Sequence, residues 1–149
     1  MFVNPSDAEV TERLKRVRTI AVVGLSDKPS RDSYGVGEYL DDRGFSVVPI
    51  NPTLEMWRGH QAFPDLAKAK KAAESVGKTI DLVDIFRRPA EVRDVLKQVV
   101  ELKLPAAWCQ LGVIDWDAAA WARQHGVWTV MDRCLAVEHR KLIGMRVGG

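Results

Sequence analysis

Residues Thr19 to Gly37 read TIAVVGLSDKPSRDSYGVG, and this stretch decides the fold. A β-branched apolar run ends in Gly24, a polar loop follows, and Ser33 opens a helical pattern. Strand, glycine turn and helix start in that order are how an α/β protein holds a phosphate, because backbone N–H groups and the positive end of a helix dipole converge on one spot. The implied ligand is anionic and nucleotide-like. A dinucleotide fingerprint is not met, since G-x-G-x-x-G from Gly24 needs glycines where Ser26 and Pro29 stand.

Upstream, Ser6 and Glu9 form a capping box, and Val10, Leu14 and Val17 continue at helical spacing. A helix over 6–17 is expected, packed on the sheet edge. Downstream, Val36, Tyr39 and Leu40 give one face of a helix ended by Gly44. The second strand runs 45–50 and closes at Asn51-Pro52, where proline cannot continue a ladder. Over 53–78 the reading is a short helical turn near Phe63 to Leu66, solvated polar surface around Lys68 to Lys71, and an exposed Trp57.

The third strand spans 79–86. Arg87-Arg88-Pro89 then leads into a helix whose Val92, Val95, Leu96, Val99 and Val100 fall on one face. A fourth strand over 106–111 ends at Gly112, and Asp115 caps a helix with Trp116, Ala119, Ala120 and Ala122 up to Gly126. The fifth strand is 127–131, a last helix covers 132–142, and a tail begins at Gly144. Five alternations of strand and helix predict an α/β protein. It is a single Rossmann-like domain over 19–142, a five-stranded mostly parallel sheet with helices on both faces, preceded by a helix in 1–18 and followed by a tail in 143–149.

At 149 residues the chain fits one domain with its own core. Its 46% hydrophobic and 28% charged residues lie near the globular average, which argues against disorder. A net charge of +2 gives no nucleic-acid footprint, so the anion site must be local. Cys109 and Cys134 stand beside apolar residues, as packed, reduced thiols do, which suits a cytoplasmic setting. No basic leader with an apolar segment opens the chain, and no stretch is apolar enough to span a bilayer.

In such sheets ligands lie outside the carboxyl ends of the strands. After the first strand, Gly24 and Ser26 let a backbone approach phosphate, Lys28 and Arg31 supply charge, and Ser33 caps the helix; an ordinary β-α loop is the plainer alternative. After the second, Asn51-Pro52 stands where a dinucleotide domain places a ribose-binding carboxylate, which argues against NAD. That dipeptide either meets a ligand or only makes the turn. After the third, Arg87-Arg88 puts cations at the positive end of a helix. An anion between them would resolve the conflict, as would pairing of Arg88 with Glu91 or Asp84. Gln110-Leu111-Gly112 and Asp132-Arg133 complete the strand ends.

For catalysis, Cys134 and His139 are five residues apart on one helix and face different ways. No Cys/His spacing suits a metal, His125 serves a helix C-terminus, and Trp116 and Trp121 fill core or an oligomer contact. No catalytic and no metal residue is assigned.

The segments AVVGLSDKPSRDSYGVGEYL, VVPINP, DLVDIFRRPAEV, WCQLGV and VMDRCLAVEHRKL resemble the small bacterial CoA-binding proteins, whose domain is similar to the nucleotide-binding domain of the succinyl-CoA synthetase α subunit. The resemblance runs from Thr19 to Leu142 and implies coenzyme A or an acyl-CoA as ligand. It places the CoA phosphates at Gly24, Ser26, Ser30 and Arg31, with Tyr34 and Val36 close by, and Ser33, read above as the helix cap, counts with them. It places the adenosine and its 3′-phosphate along Asn51, Pro52, Ile85, Phe86, Arg87 and Arg88, and Val92 and Gln110 count with the site. The synthetase chemistry needs a phosphohistidine domain and a partner subunit, so binding without catalysis is the expectation. An enzyme or redox protein acting on a CoA thioester or thiol through Cys134 or Cys109, and an NAD-like binding module, are the alternatives. A homo-oligomer or another protein partner is left open.

Overall fold

The computed structural model of the chain describes residues 1–144; the end of the tail read from the sequence lies outside the described residues. Ser6 Oγ accepts from the Glu9 backbone N–H at 3.2 Å, and Glu9 Oε1 accepts from Ser6 N–H at 3.1 Å. This reciprocal cap opens α1 (Asp7–Arg16) as the sequence predicts. The chain continues through β1 (Thr19–Val23), α2 (Asp32–Asp42), β2 (Ser46–Ile50), the short strands β3 (Met56–Trp57) and β4 (His60–Gln61), and α3 (Leu66–Ser75). Then follow β5 (Leu82–Ile85), α4 (Pro89–Glu101), β6 (Ala106–Cys109), α5 (Trp116–Gln124), β7 (Trp128–Met131) and α6 (Leu135–Leu142).

The main sheet has the order β2-β1-β5-β6-β7, and every pairing in it is parallel. Register aligns Ile50, Val23, Ile85, Cys109 and Met131, so all five carboxyl ends reach one edge. Strand side chains alternate between faces. Ala21, Val23, Val83, Ile85, Ala107 and Cys109 pack with α3, α4 and α5. Ile20, Val22, Leu82, Trp108 and Val130 pack with α1, α2 and α6.

Three expectations are corrected. The opening helix lies on a sheet face beside α6, because Val10, Leu14 and Val17 complete the apolar layer there. Residues 53–78 contain an antiparallel β3–β4 pair and a ten-residue helix. That helix is capped by Asp65, whose Oδ1 accepts from Lys68 N–H at 2.8 Å, and its buried residues are Leu66, Ala69 and Ala73. Small alanines carry a weak periodic signal, so the helix hid behind its lysines. Trp116 is 44% exposed, so the core half of its reading is corrected and the oligomer contact is left as the alternative.

Candidate functional site

From β1 the chain turns to β2 on one side and later to β5 on the other, so the crevice of this sheet opens over the ends of β1 and β5. Gly24 closes that point. Its φ is +83°, its N–H donates to Ile50 O at 2.9 Å, and a Cβ there would lie 2.1 Å from the Phe86 carbonyl oxygen. Only glycine lets the β1 loop and the β5 loop approach this closely.

The loop after Gly24 is held by its own bonds. Ser26 N–H donates to Ser33 Oγ at 3.0 Å, and Lys28 N–H donates to Ser26 Oγ at 3.0 Å. Ser33 therefore does not cap α2 as expected: it lies inside the helix and ties the loop, while the cap residue is Arg31. Asn51 joins the second strand end to the first. Its Nδ2 donates to Leu25 O at 3.0 Å, and its Oδ1 accepts from Thr53 N–H at 2.9 Å and Thr53 Oγ1 at 2.8 Å. A carboxylate has no proton for Leu25 O, so the amide at this position has a structural cause.

The residue that sequence reasoning misplaced is Trp57. It is 2% exposed, and its Nε1 donates to Ser26 O at 3.0 Å. The ring packs edge-on to Tyr34, with centroids 5.5 Å apart, and against Gly37, where a Cβ would sit 3.0 Å from it. A lone tryptophan in a two-residue strand leaves no periodic signal, but Gly37 in mid-helix is the sign of a close neighbour. Trp57→Phe keeps most of the packing and removes the hydrogen bond. It should cost about 1 kcal/mol in urea denaturation and free the Ser26 carbonyl, raising amide exchange across residues 25–28; unchanged exchange would show that the bond does not hold the loop.

Three adjoining basins cross the carboxyl edge, each walled by Asp32 and Phe86. The first, about 460 Å³, takes Gly24, Ser26, Lys28, Arg31, Ser33, Asn51 and Thr53. The second, about 520 Å³, has Arg87, Arg88 and Glu91. The third, about 540 Å³, lies between α2 and α6 and includes Ser30, Arg31, Val36, Gln110, Leu111 and Cys134. Most sequence-predicted residues therefore meet in one trough. Ile85 and Val92 do not: both are fully buried in the core layer with α4. Tyr34 and Pro52 also lie outside the basin walls.

Helix caps divide by location. α1, α3 and α5 have a side chain accepting a hydrogen bond at the N-terminus, from Ser6, Asp65 and Asp115. α2, α4 and α6, whose first turns border the trough, have Arg31, Arg88 and Cys134 as cap residues with no such bond. At α6 the first N–H, of Leu135, donates to Gln110 Oε1 at 3.2 Å, so the positive dipole ends of α2 and α4 are the ones without a side-chain acceptor. Arg88 Nε meets Glu91 Oε1 at 2.9 Å on the surface, and Asp84 takes no part in that pair. Arg87 is exposed and makes no ion pair among the described residues.

The two cysteines separate. Cys109 faces the α3–α5 layer fully buried, and burial above all, with the charges of Asp84 and Asp115, pushes its thiol up to about 12. Cys134 is half-buried and lines the third basin, so of the two thiols only this one lies on the trough. His139 is buried with its Nδ1 2.8 Å from Tyr39 Oη, and burial followed by the charge of Arg43 lowers its pKa. No helix among the described residues is long and apolar enough to cross a membrane.

Residues 18–140 match the family described as CoA binding domain. An uncharacterized Bacillus subtilis protein, YneT, is 35% identical over 136 residues, covering 91% of this chain and 96% of that one. A hypothetical protein from Pyrococcus horikoshii has a similar structure, with TM-score 0.84, 28% identity, and coverage of 97% and 99%. A protein from Thermus thermophilus is similar at TM-score 0.82 and 31% identity, covering 93% of this chain and all of that one.

Proposed function

We propose that this chain, which belongs to the CoA-binding domain family, holds coenzyme A or an acyl-CoA across the trough and acts by binding rather than by chemistry of its own. The observation that carries the reading is the polar pair of basins on either side of Phe86, one with Lys28 and Arg31, the other with Arg87 and Arg88. Coenzyme A has a diphosphate and a separate 3′-phosphate, and two basins that each bring two cations together match two anionic groups, with Asp27 and Asp32 on the first and Asp32 and Glu91 on the second offsetting that charge. In the first basin the Gly24, Ser26 and Lys28 N–H groups already have acceptors. The diphosphate there is held by Arg31, Lys28, the Ser33 hydroxyl and the uncapped start of α2.

Arg87 and Arg88 supply the 3′-phosphate contact, and Glu91 holds Arg88 in place. Calorimetric titration should show CoA binding more tightly than dephospho-CoA. Arg87→Ala or Arg88→Ala should reduce that preference roughly tenfold, the worth of one charge-assisted hydrogen bond. Equal affinities of the unaltered protein for the two ligands would overturn the 3′-phosphate assignment.

A further inference from the structure

We propose that the segment Phe2–Asn4 is a strand guard: it closes the outer edge of β7, and its displacement opens that edge to antiparallel pairing with β7 of a second copy of this chain. β7 is the last strand of the sheet. Trp128 N–H donates to Pro105 O at 3.0 Å, so Trp128 and Val130 turn their main-chain groups toward β6, while Val127, Thr129 and Met131 turn theirs outward. Outward N–H and C=O groups on an edge are a template for another strand, and each needs a partner when buried. All three outward residues are buried.

Side chains supply those partners. Asn4 Oδ1 accepts from Met131 N–H at 2.8 Å, and Asn4 Nδ2 donates to Met131 O at 2.9 Å. A primary amide offers an acceptor and a donor side by side, as a peptide group does, so Asn4 meets Met131 as a neighbouring strand would. Pro5 favours an extended backbone at Asn4. Arg123 of α5 fixes the segment from the other side. Its Nη1 donates to Val3 O at 2.7 Å, its Nη2 reaches Thr129 O at 3.4 Å, and its guanidinium carbon lies 4.1 Å from the Phe2 ring centroid. Thr129 Oγ1 donates to Val127 O at 2.9 Å, which settles one more outward carbonyl. The opposite edge is closed differently: Pro49 of β2 has no N–H, and Phe63 takes the Pro49 carbonyl and the Asn51 N–H, each at 2.9 Å.

The strand under the guard is suited to its own copy. Val127 to Met131 reads VWTVM, with no charge, proline or glycine to discourage pairing. A two-fold axis at Thr129 sets Thr129 opposite Thr129 and Met131 opposite Val127, so identical edges complete each other. Arg123, laid along the edge, holds there a charge that repels a second copy.

The test compares the double variant Asn4→Ala/Arg123→Ala with the unaltered protein, reading amide exchange by NMR and mass by sedimentation velocity. In dilute solution the Met131 amide of the variant should exchange at least about tenfold faster, the worth of one hydrogen bond, while the Val130 amide, which faces β6, keeps its rate. As concentration rises, the variant should reach about twice the mass of the unaltered protein, and its Met131 amide should slow again in step. An unchanged Met131 rate in dilute solution would show that Asn4 does not close the edge. A freed Met131 amide with no gain in mass, or a gain in mass with that amide still exchanging fast, would overturn pairing through β7. Asn4→Ala alone leaves Arg123 on Val3 and carries both readings should the double variant not fold.

Discussion

Gly24→Ala should lose about 3 kcal/mol or more of folding stability, combining the strain of a left-handed backbone on a residue with a Cβ and the overpacking of a tight contact. The new methyl would sit 2.1 Å from the Phe86 carbonyl oxygen, which is backbone and has no free rotation to yield. Either Gly24 leaves its φ of +83° or the β5 loop moves away, and both disturb the bonds Gly24 N–H to Ile50 O and Phe86 N–H to Val23 O. Because Phe86 walls all three basins, the surviving folded fraction should bind CoA at least tenfold more weakly. Gly59→Ala is the control: φ is +82° there but nothing lies within 4 Å, so the cost should be about 1 kcal/mol. Urea denaturation of the two variants that gave equal losses would refute the close approach of the strand ends.

Asp84→Asn should make the protein more stable at pH 8 and leave it nearly unchanged at pH 4. Asp84 is fully buried in β5, and neither carboxyl oxygen has a hydrogen-bond partner. Burial raises its pKa well above the ordinary carboxylate range, and the nearby Ile85 backbone N–H acts in the opposite direction. The folded state therefore keeps a proton that the unfolded state releases above about pH 4. The stability contributed by neutral Asp84 is complete below that value and is lost as pH rises toward the folded pKa, by up to about 1.4 kcal/mol per pH unit. Asparagine has the same shape and no proton to lose, so its stability profile should be flatter over pH 4–8. A variant less stable than the unaltered protein at pH 8 would mean that the buried carboxylate is stabilised by something other than protonation.

Much of the site was legible because strand ends announce themselves. Gly24, Asn51-Pro52, Arg87-Arg88 and Gln110 each follow an apolar run and interrupt it with a residue the strand would not choose. Their meeting on one edge follows from parallel strands, and register brings it about. Roles were harder to read. Ser33 had the composition of a helix cap and instead accepts from Ser26, a choice made by where the loop folds back. Ile85 and Val92 belong to segments that border the ligand in the resemblance, yet strand and helix geometry turns both into the core.

Local pattern alone determined that β-branched runs become strands, that the valine stripe of α4 buries one face, and that Gly24 ends the first strand in a turn, since propensity and periodicity act over a few residues. Tertiary structure alone decided that Trp57 is buried under the first loop, that Cys109 and Cys134 part company, and that the Gln110 amide oxygen accepts from the Leu135 N–H at the start of α6. These depend on contacts between segments 25 or more residues apart, where the partner, rather than the residue's own neighbours in the chain, sets burial and hydrogen bonding.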